Sequence, residues 1–409
     1  MNNFYDILRQ RPYLIIIAGV LIIAFAVIIL LLLLPSAVPQ DDLVDITASS
    51  TISTSTTSTS TLVASTSKSN ISTPVVIPST VSTPTKIPVV SPPASSIQVK
   101  KSGEIMAWIY PGDPGCAARG EYRDGRKIDV LKPEYYRVGE GGVLEFLTED
   151  NFGCNGYSAE NIADISKYSK RQFVTVASSY AVDMGIFLQQ ALDDRKAIHT
   201  LTDFVVDAHF EGVELDFEDF GGWTDNYYDL YKRFAKELGT ELHKKGKELM
   251  LVGPATANAE QEAWFKWRYG DFVSLPVDMI IIMTYDYQFD HGAGNPVAPF
   301  EWIEDSIEWA LSKFPDKKRL GAGIPSYGYR GITGTQSLRV LNRGEITDAV
   351  GNISGTRDVS SGELVYTTGD TKYYYQDSTS MDQKYSRIAA YGLAGVSVWS
   401  LGGNPWFVR

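Results

Sequence analysis

The stretch Glu211-Gly212-Val213-Glu214-Leu215-Asp216-Phe217-Glu218 carries acidic side chains at 214, 216 and 218, with apolar ones at 213, 215 and 217. In a β-strand successive side chains point to opposite faces, so residues two apart share a face. Glu214, Asp216 and Glu218 then form one acidic row, and Val213, Leu215 and Phe217 form the opposite, apolar row. Stacking three carboxylates costs repulsion and desolvation. Chains carry that cost where like charges tune a proton donor.

Outward from this strand, short apolar runs alternate with helical patterns. Candidate strands are Ile105–Tyr110, Val143–Leu147, Phe173–Ala177, Gly212–Phe217, Glu248–Val252, Asp278–Met283, Leu320–Ile324 and Gly395–Trp399. Among the helices, Thr224 to Lys245 is the clearest: Tyr227, Leu230, Tyr231, Phe234, Leu238 and Leu242 recur at helical spacing, and Gly246 marks the end. Ser158 is placed to cap a helix through Tyr168, and Trp302–Phe314 and Ser380–Tyr391 are similar helical stretches. Eight strands alternating with helices point to an α/β fold, the (β/α)8 TIM barrel. An open doubly wound sheet is the alternative, but no Gly-rich phosphate loop follows the first strand. Between the seventh and eighth strands, residues 328–376 are rich in Gly, Thr and Tyr and read as a small β-rich insertion.

The barrel does not fill the chain. Leu14 to Leu34 is an uninterrupted apolar run, and roughly twenty such residues cross a bilayer as a helix. Arg9 and Arg11 precede it, and Asp41, Asp42 and Asp45 follow it. The basic flank stays inside, which makes 1–13 cytoplasmic, 14–34 a signal-anchor helix and the rest extracellular. The alternative, a cleaved export signal, lacks a clear small-residue cleavage site. Residues 35–99, dominated from about Ile46 by Ser, Thr, Pro and Val, cannot bury enough surface to fold and read as a disordered linker. Residues 100–409 remain for one large domain.

The formal net charge of −12 excludes a nucleic-acid partner, which needs clustered Lys and Arg. Cys116 and Cys154 are the only cysteines; outside the membrane a disulfide between them is permitted. The four histidines, at 199, 209, 243 and 291, are scattered, so no metal and no cofactor is expected.

In such a barrel the site sits where strands end at the carboxyl face. The fourth strand ends with Asp216 and Glu218. The sixth ends with Met283-Thr284-Tyr285-Asp286, the seventh with Pro325-Ser326-Tyr327-Gly328, and the eighth with Trp399. Sugars offer CH faces that stack on aromatic rings and hydroxyls that need paired polar groups. A buried Glu among acids can keep its proton and give it to a glycosidic oxygen. Trp108 and Tyr110, at the end of the first strand, either line the cleft or fill the core. Tyr373, Tyr374 and Tyr375 read equally as a stacking surface or as strand formers.

These motifs together resemble glycoside hydrolase family 18, the chitinase-like barrels. The family's fourth-strand Asp-Gly-x-Asp-x-Asp-x-Glu matches the frame of 211–218, its sixth-strand Met-x-Tyr-Asp is met by 283–286, and its eighth-strand Trp by Trp399. Asn295-Pro296-Val297-Ala298-Pro299 and Gly321 to Tyr329 look most like the bacterial spore-germination and cortex-lytic branch. The resemblance covers about 102–409.

It implies retaining, substrate-assisted hydrolysis of β-1,4 bonds in N-acetylglucosamine-containing glycans, peptidoglycan before chitin. Glu218 would be the general acid and then base, Asp216 would orient the 2-acetamido group, Tyr285 would hydrogen-bond it, and Asp286 would support the site. Trp399 would floor the sugar, with Met283, Tyr110 and Tyr327 as further substrate-binding positions. Glu211 and Glu214 stand where the family has Asp, and the third-strand Ser-x-Gly-Gly becomes Ala177-Ser178-Ser179-Tyr180. Glu214 would share a proton with Asp216, and restoring aspartate there is expected to raise activity or widen the pH optimum. A catalytically silent sugar-binding barrel is the rival reading; Glu218, Asp216 and Tyr285 speak against it.

Overall fold

The computed structural model describes residues 103–111, 116–351 and 355–408. The expected membrane helix at 14–34 and the linker lie outside them. Among the described residues no helix is long and apolar enough to cross a membrane.

Eight parallel strands close on themselves. They are β1 (Glu104–Ile109), β2 (Val130–Gly139), β4 (Arg171–Ser178), β5 (Gly212–Phe217), β6 (Glu248–Pro254), β7 (Met279–Met283), β8 (Leu320–Pro325) and β14 (Gly395–Leu401). They pair in that order, and β1 hydrogen-bonds to both β14 and β2, so no edge remains. Helices fill the crossovers, as a parallel sheet requires.

One expected strand is corrected. The second barrel strand is Val130–Gly139, whereas Val143–Phe146 is β3, a short antiparallel strand paired with the far end of β2. The sequence of β2, VLKPEYYRVG, breaks the apolar pattern because Lys132 and Glu134 point into the barrel rather than into a greasy core. Seven of the eight expected barrel strands are observed.

The two faces of β5 divide as the alternation requires. Val213, Leu215 and Phe217 are fully buried on the helix side. The Phe217 ring lies 5.8 Å from that of Tyr231 and 6.5 Å from that of Phe234. Burial of each such side chain contributes on the order of 1.5–3 kcal/mol. Both aromatics belong to the helix Asp225–Lys244, capped by the Thr224 side chain, which accepts from the Tyr227 amide. With that face held, the acids can only point inward.

Between β8 and β14 a second sheet is inserted. It contains β9 (Gly328–Ile332), β10 (Leu338–Leu341), β11 (Thr356–Arg357), β12 (Leu364–Thr368) and β13 (Thr371–Tyr375), in the order β10-β9-β13-β12-β11. Tyr373 and Tyr375 pack on Leu341, Ile346 and Val350, and Tyr374 stacks on Tyr329 at 5.8 Å. The three tyrosines are therefore strand formers, not a sugar platform.

Candidate active site

The carboxyl ends of β5, β6, β7 and β14 surround a cleft of about 580 Å³ lined by Glu218, Met283, Tyr285, Asp286, Trp264 and Trp399, among others. A larger groove of about 1400 Å³ runs outside the barrel between the helices Phe300–Lys313 and Ser378–Tyr391. Its two arginines are taken up in ion pairs, Arg357 with Asp377 and Arg387 with Glu304. The acid cluster lies in the smaller cleft.

Glu218 follows β5 directly. Its amide donates to the Ser178 carbonyl at 2.8 Å, and its own carbonyl accepts from Trp223 Nε1 at 2.8 Å. Asp219 then turns at φ 57°, and its carboxylate receives the Ala181 amide at 3.0 Å. This turn leaves Glu218 exposed in the cleft, not buried as the sequence led one to expect, with protein crowded around its carboxyl. Burial, and then the nearby Asp286 charge, push its carboxyl up to about 7. An acid in that range keeps a sizeable protonated fraction at neutral pH, as a general acid needs.

Asp216 sits one strand step below, 5 % exposed, and its Oδ1 finds no partner among the described residues. Burial first, then the charges of Glu218, Glu214 and Glu134, raise its carboxyl well above the usual range. Asp286 sits beyond the end of β7 at φ 71°. It accepts from the Tyr327 hydroxyl and, at 3.3 Å, from Gln288 Nε2. Burial lifts it to about 6 against those hydrogen bonds.

Tyr285 is buried beside them, its ring 6.3 Å from that of Tyr327. It has room only because residue 323 is glycine: a Cβ there would stand 2.4 Å from Tyr285 Cε1. Trp399 packs edge-on against Trp108 at 5.5 Å and near Tyr110 at 6.0 Å. The peptide bond after it is cis, and its carbonyl accepts from the Ser326 amide and hydroxyl, both at 2.9 Å.

Of the nine positions expected from sequence, Glu218, Met283, Tyr285, Asp286 and Trp399 line the cleft. Asp216 lies beneath Glu218, Tyr327 braces Asp286, and Tyr110 stands half-exposed at the rim beside Trp399. Glu214 is different. It is fully buried, and its oxygens receive Trp108 Nε1 at 2.6 Å, Lys132 Nζ at 2.5 Å and Thr175 Oγ1 at 2.8 Å. Three donors occupy its two oxygens, and none of its hydrogen bonds runs to Asp216. The expectation for aspartate at 214 therefore reverses. A shorter side chain retreats from Lys132 and lengthens the contact that compensates a buried ammonium.

Sequence reading missed Lys132 and Glu134 because it misplaced β2; with the strand at 130–139, their spacing of two is the signal. It also missed Trp264 and Phe289, exposed aromatics on the cleft wall. Cys116 and Cys154, left open above, form a disulfide near the mouth. Among the described residues no group of three or more His, Cys, Asp or Glu is arranged to hold a metal ion.

Comparison with known proteins adds to this geometry. A family model described as Glycosyl hydrolases family 18 matches residues 166–404, more than half of the chain. The putative sporulation-specific glycosylase YdhD of Bacillus subtilis is 27 % identical over 227 residues, covering 52 % of this chain and 53 % of its own. The cortical fragment-lytic enzyme of the same organism is 24 % identical over 284 residues, covering 64 % of each chain. The chain thus spans between about half and two thirds of the length of these relatives. Among solved structures, a chitinase from Chromobacterium violaceum superposes with a TM-score of 0.60 at 21 % identity, over 74 % of this chain and 95 % of that one. That likeness carries the fold.

Proposed function

Because the chain belongs to glycosyl hydrolases family 18, we propose that it hydrolyses β-1,4 bonds of glycans containing N-acetylglucosamine, peptidoglycan first. The observation that carries this reading is one cleft that joins Glu218, lifted to about 7, to Tyr285, Asp286 and Trp399, with unpartnered Asp216 beneath. Trp399 offers its face to the sugar at the bond to be cut. Glu218 hands its proton to the bridging oxygen as the bond breaks. The sugar's own acetamido oxygen closes on the anomeric carbon, while Asp216 and Tyr285 hold the acetamido group. Glu218, now a carboxylate, takes a proton from the incoming water, and the configuration at the anomeric carbon is retained.

Peptidoglycan is favoured over chitin by the relatives, one named for sporulation and one for cortical fragments. Residues 14–34 are read as an anchor that holds the domain at the outer face of the membrane, on the strength of their length and basic flank. Digestion of purified peptidoglycan and of chitin oligomers, with identification of the new reducing ends, tests the substrate. Release of N-acetylglucosamine reducing ends from peptidoglycan is expected. Cleavage of chitin alone would move the assignment to chito-oligosaccharides, and no cleavage of either would favour the silent sugar-binding reading.

A further inference from the structure

We propose that Glu134 is a substrate-contacting residue, whose carboxyl takes a hydroxyl or amide of the sugar lying beside Glu218. The inference rests on the glycan-binding reading above and names a contact within that site. Lys132 points into the barrel, since it reaches Glu214 at 2.5 Å. Glu134, two residues on, shares that face and lies one strand step nearer the carboxyl mouth. A register irregularity between β2 and β4 falls between Glu134 and Tyr136, and such bulges re-aim side chains near sites.

Glu134 shares with Asp216 alone, among the carboxyls buried in the described residues, the lack of a partner. Glu214 has three donors, Glu363 has the amides of Val297 and Ala298 together with Lys384, and Asp286 has Tyr327 and Gln288. Glu134 is only 7 % exposed, and within the described residues it makes no hydrogen bond or ion pair. Buried polar groups are paired as a rule; Glu134 has no partner yet its oxygens are not sealed off, which leaves them free to take a ligand. The charged and titratable groups around it are Tyr110 just after β1, Lys132 and Arg137 of its own strand, and Asp216 and Glu218 at the end of β5; Thr175 faces it from β4. Burial, then the Glu218 charge, push its ionisation up to about 8. At neutral pH it is a protonated carboxyl, which both donates and accepts, as a sugar hydroxyl does.

Binding of tetra-N-acetylchitotetraose, measured by calorimetry in the Glu218→Gln chain, tests the contact without turnover. Adding Glu134→Leu is expected to weaken binding at pH 6 about tenfold or more. Adding Glu134→Gln instead, which keeps a donor and an acceptor, should recover most of that loss. Binding to the chain that retains Glu134 should weaken as pH rises through the neutral range, while the chain carrying Glu134→Gln stays level. Unchanged binding with Glu134→Leu, or a loss with Glu134→Gln equal to that with Glu134→Leu, would overturn the proposal. Should the Glu134→Leu chain fail to melt cooperatively, the two pH series decide alone, and level binding in both overturns it. An inert wild-type chain that shows these differences in binding would refute hydrolysis and leave the contact standing. A chain that binds no tetrasaccharide would overturn the contact, while the peptidoglycan digestion would still decide hydrolysis on its own.

Discussion

Two lysines are wholly buried with a glutamate each, and they sit in opposite kinds of place. Lys384 meets Glu363 at 3.2 Å, where Glu363 also receives the Val297 and Ala298 amides at 2.8 Å each. Glu363 thus ties the inserted segment both to the helix Ser378–Tyr391 and to the loop after β7. Lys132 meets Glu214 on the barrel axis, directly under Asp216. Burial pulls both lysines down, Lys132 to about 8, against the pull of their partners. In the outer pair the hydrogen-bonding neighbours are backbone groups and the Gln376 side-chain oxygen. In the inner pair the ion pair stops at Glu214, and among the described residues Asp216 and Glu134 above it have no ion-pair partner, only the weaker pull of Lys132 and Arg137. The same ion pair thus fastens a loop in one region and, in the other, separates a neutralised floor from a layer that keeps its protons.

Glu218→Gln should sharpen that division most. Turnover on the cleaved glycan is expected to fall by about 10³-fold, or about 4 kcal/mol, while calorimetric melting shows an intact fold. Unaltered turnover would remove Glu218 from the mechanism. Lys384→Met should cost about 3–5 kcal/mol in denaturant unfolding, since it leaves Glu363 buried and uncompensated. If the pairs are alike in stability, Lys132→Met should cost about the same and lower kcat besides. An equal loss of kcat from both would erase the distinction. Glu214→Asp is a smaller break, expected to cost about 1–2 kcal/mol of stability by lengthening the contact with Lys132. It should lower kcat rather than raise it, and a rise would restore the proton-sharing role.

The smallest effect is in the pH dependence of stability. Glu134, Glu218 and Asp286 hold protons in the folded chain up to about 8, 7 and 6, above their ordinary ranges. Between about pH 4 and 8 the folded state therefore binds more protons than the unfolded one, and stability falls as pH rises across that window. Melting temperatures at pH 5 and pH 8 should differ in that sense, and Glu134→Gln should narrow the gap. A gap of the opposite sign would mean that these carboxyls are ionised in the folded protein.

How much of this was legible in the sequence depended on which face carried chemistry. β5 was readable because its outward row is wholly apolar and its inward row wholly acidic, so the period of two stands out. β7 and β14 were readable as apolar runs ending in Tyr285-Asp286 and Trp399. β2 was not, because Lys132 and Glu134 replace inward apolar residues and Pro133 lies between them, which reads as a loop. The partner of Glu214 sits 82 residues away in sequence. No local pattern carries such a pairing; it comes about because β4 pairs with both β2 and β5 and brings their inward faces together. The motif frame located the acids, but the cation that divides them into two layers came only with the third dimension.

Gly323 bears no functional group, yet the space it leaves is where the Tyr285 ring lies. A saturation scan of this gene should show position 323 as intolerant as the acid itself. Its forbidden replacements would begin at alanine, a change that every similarity matrix scores as mild.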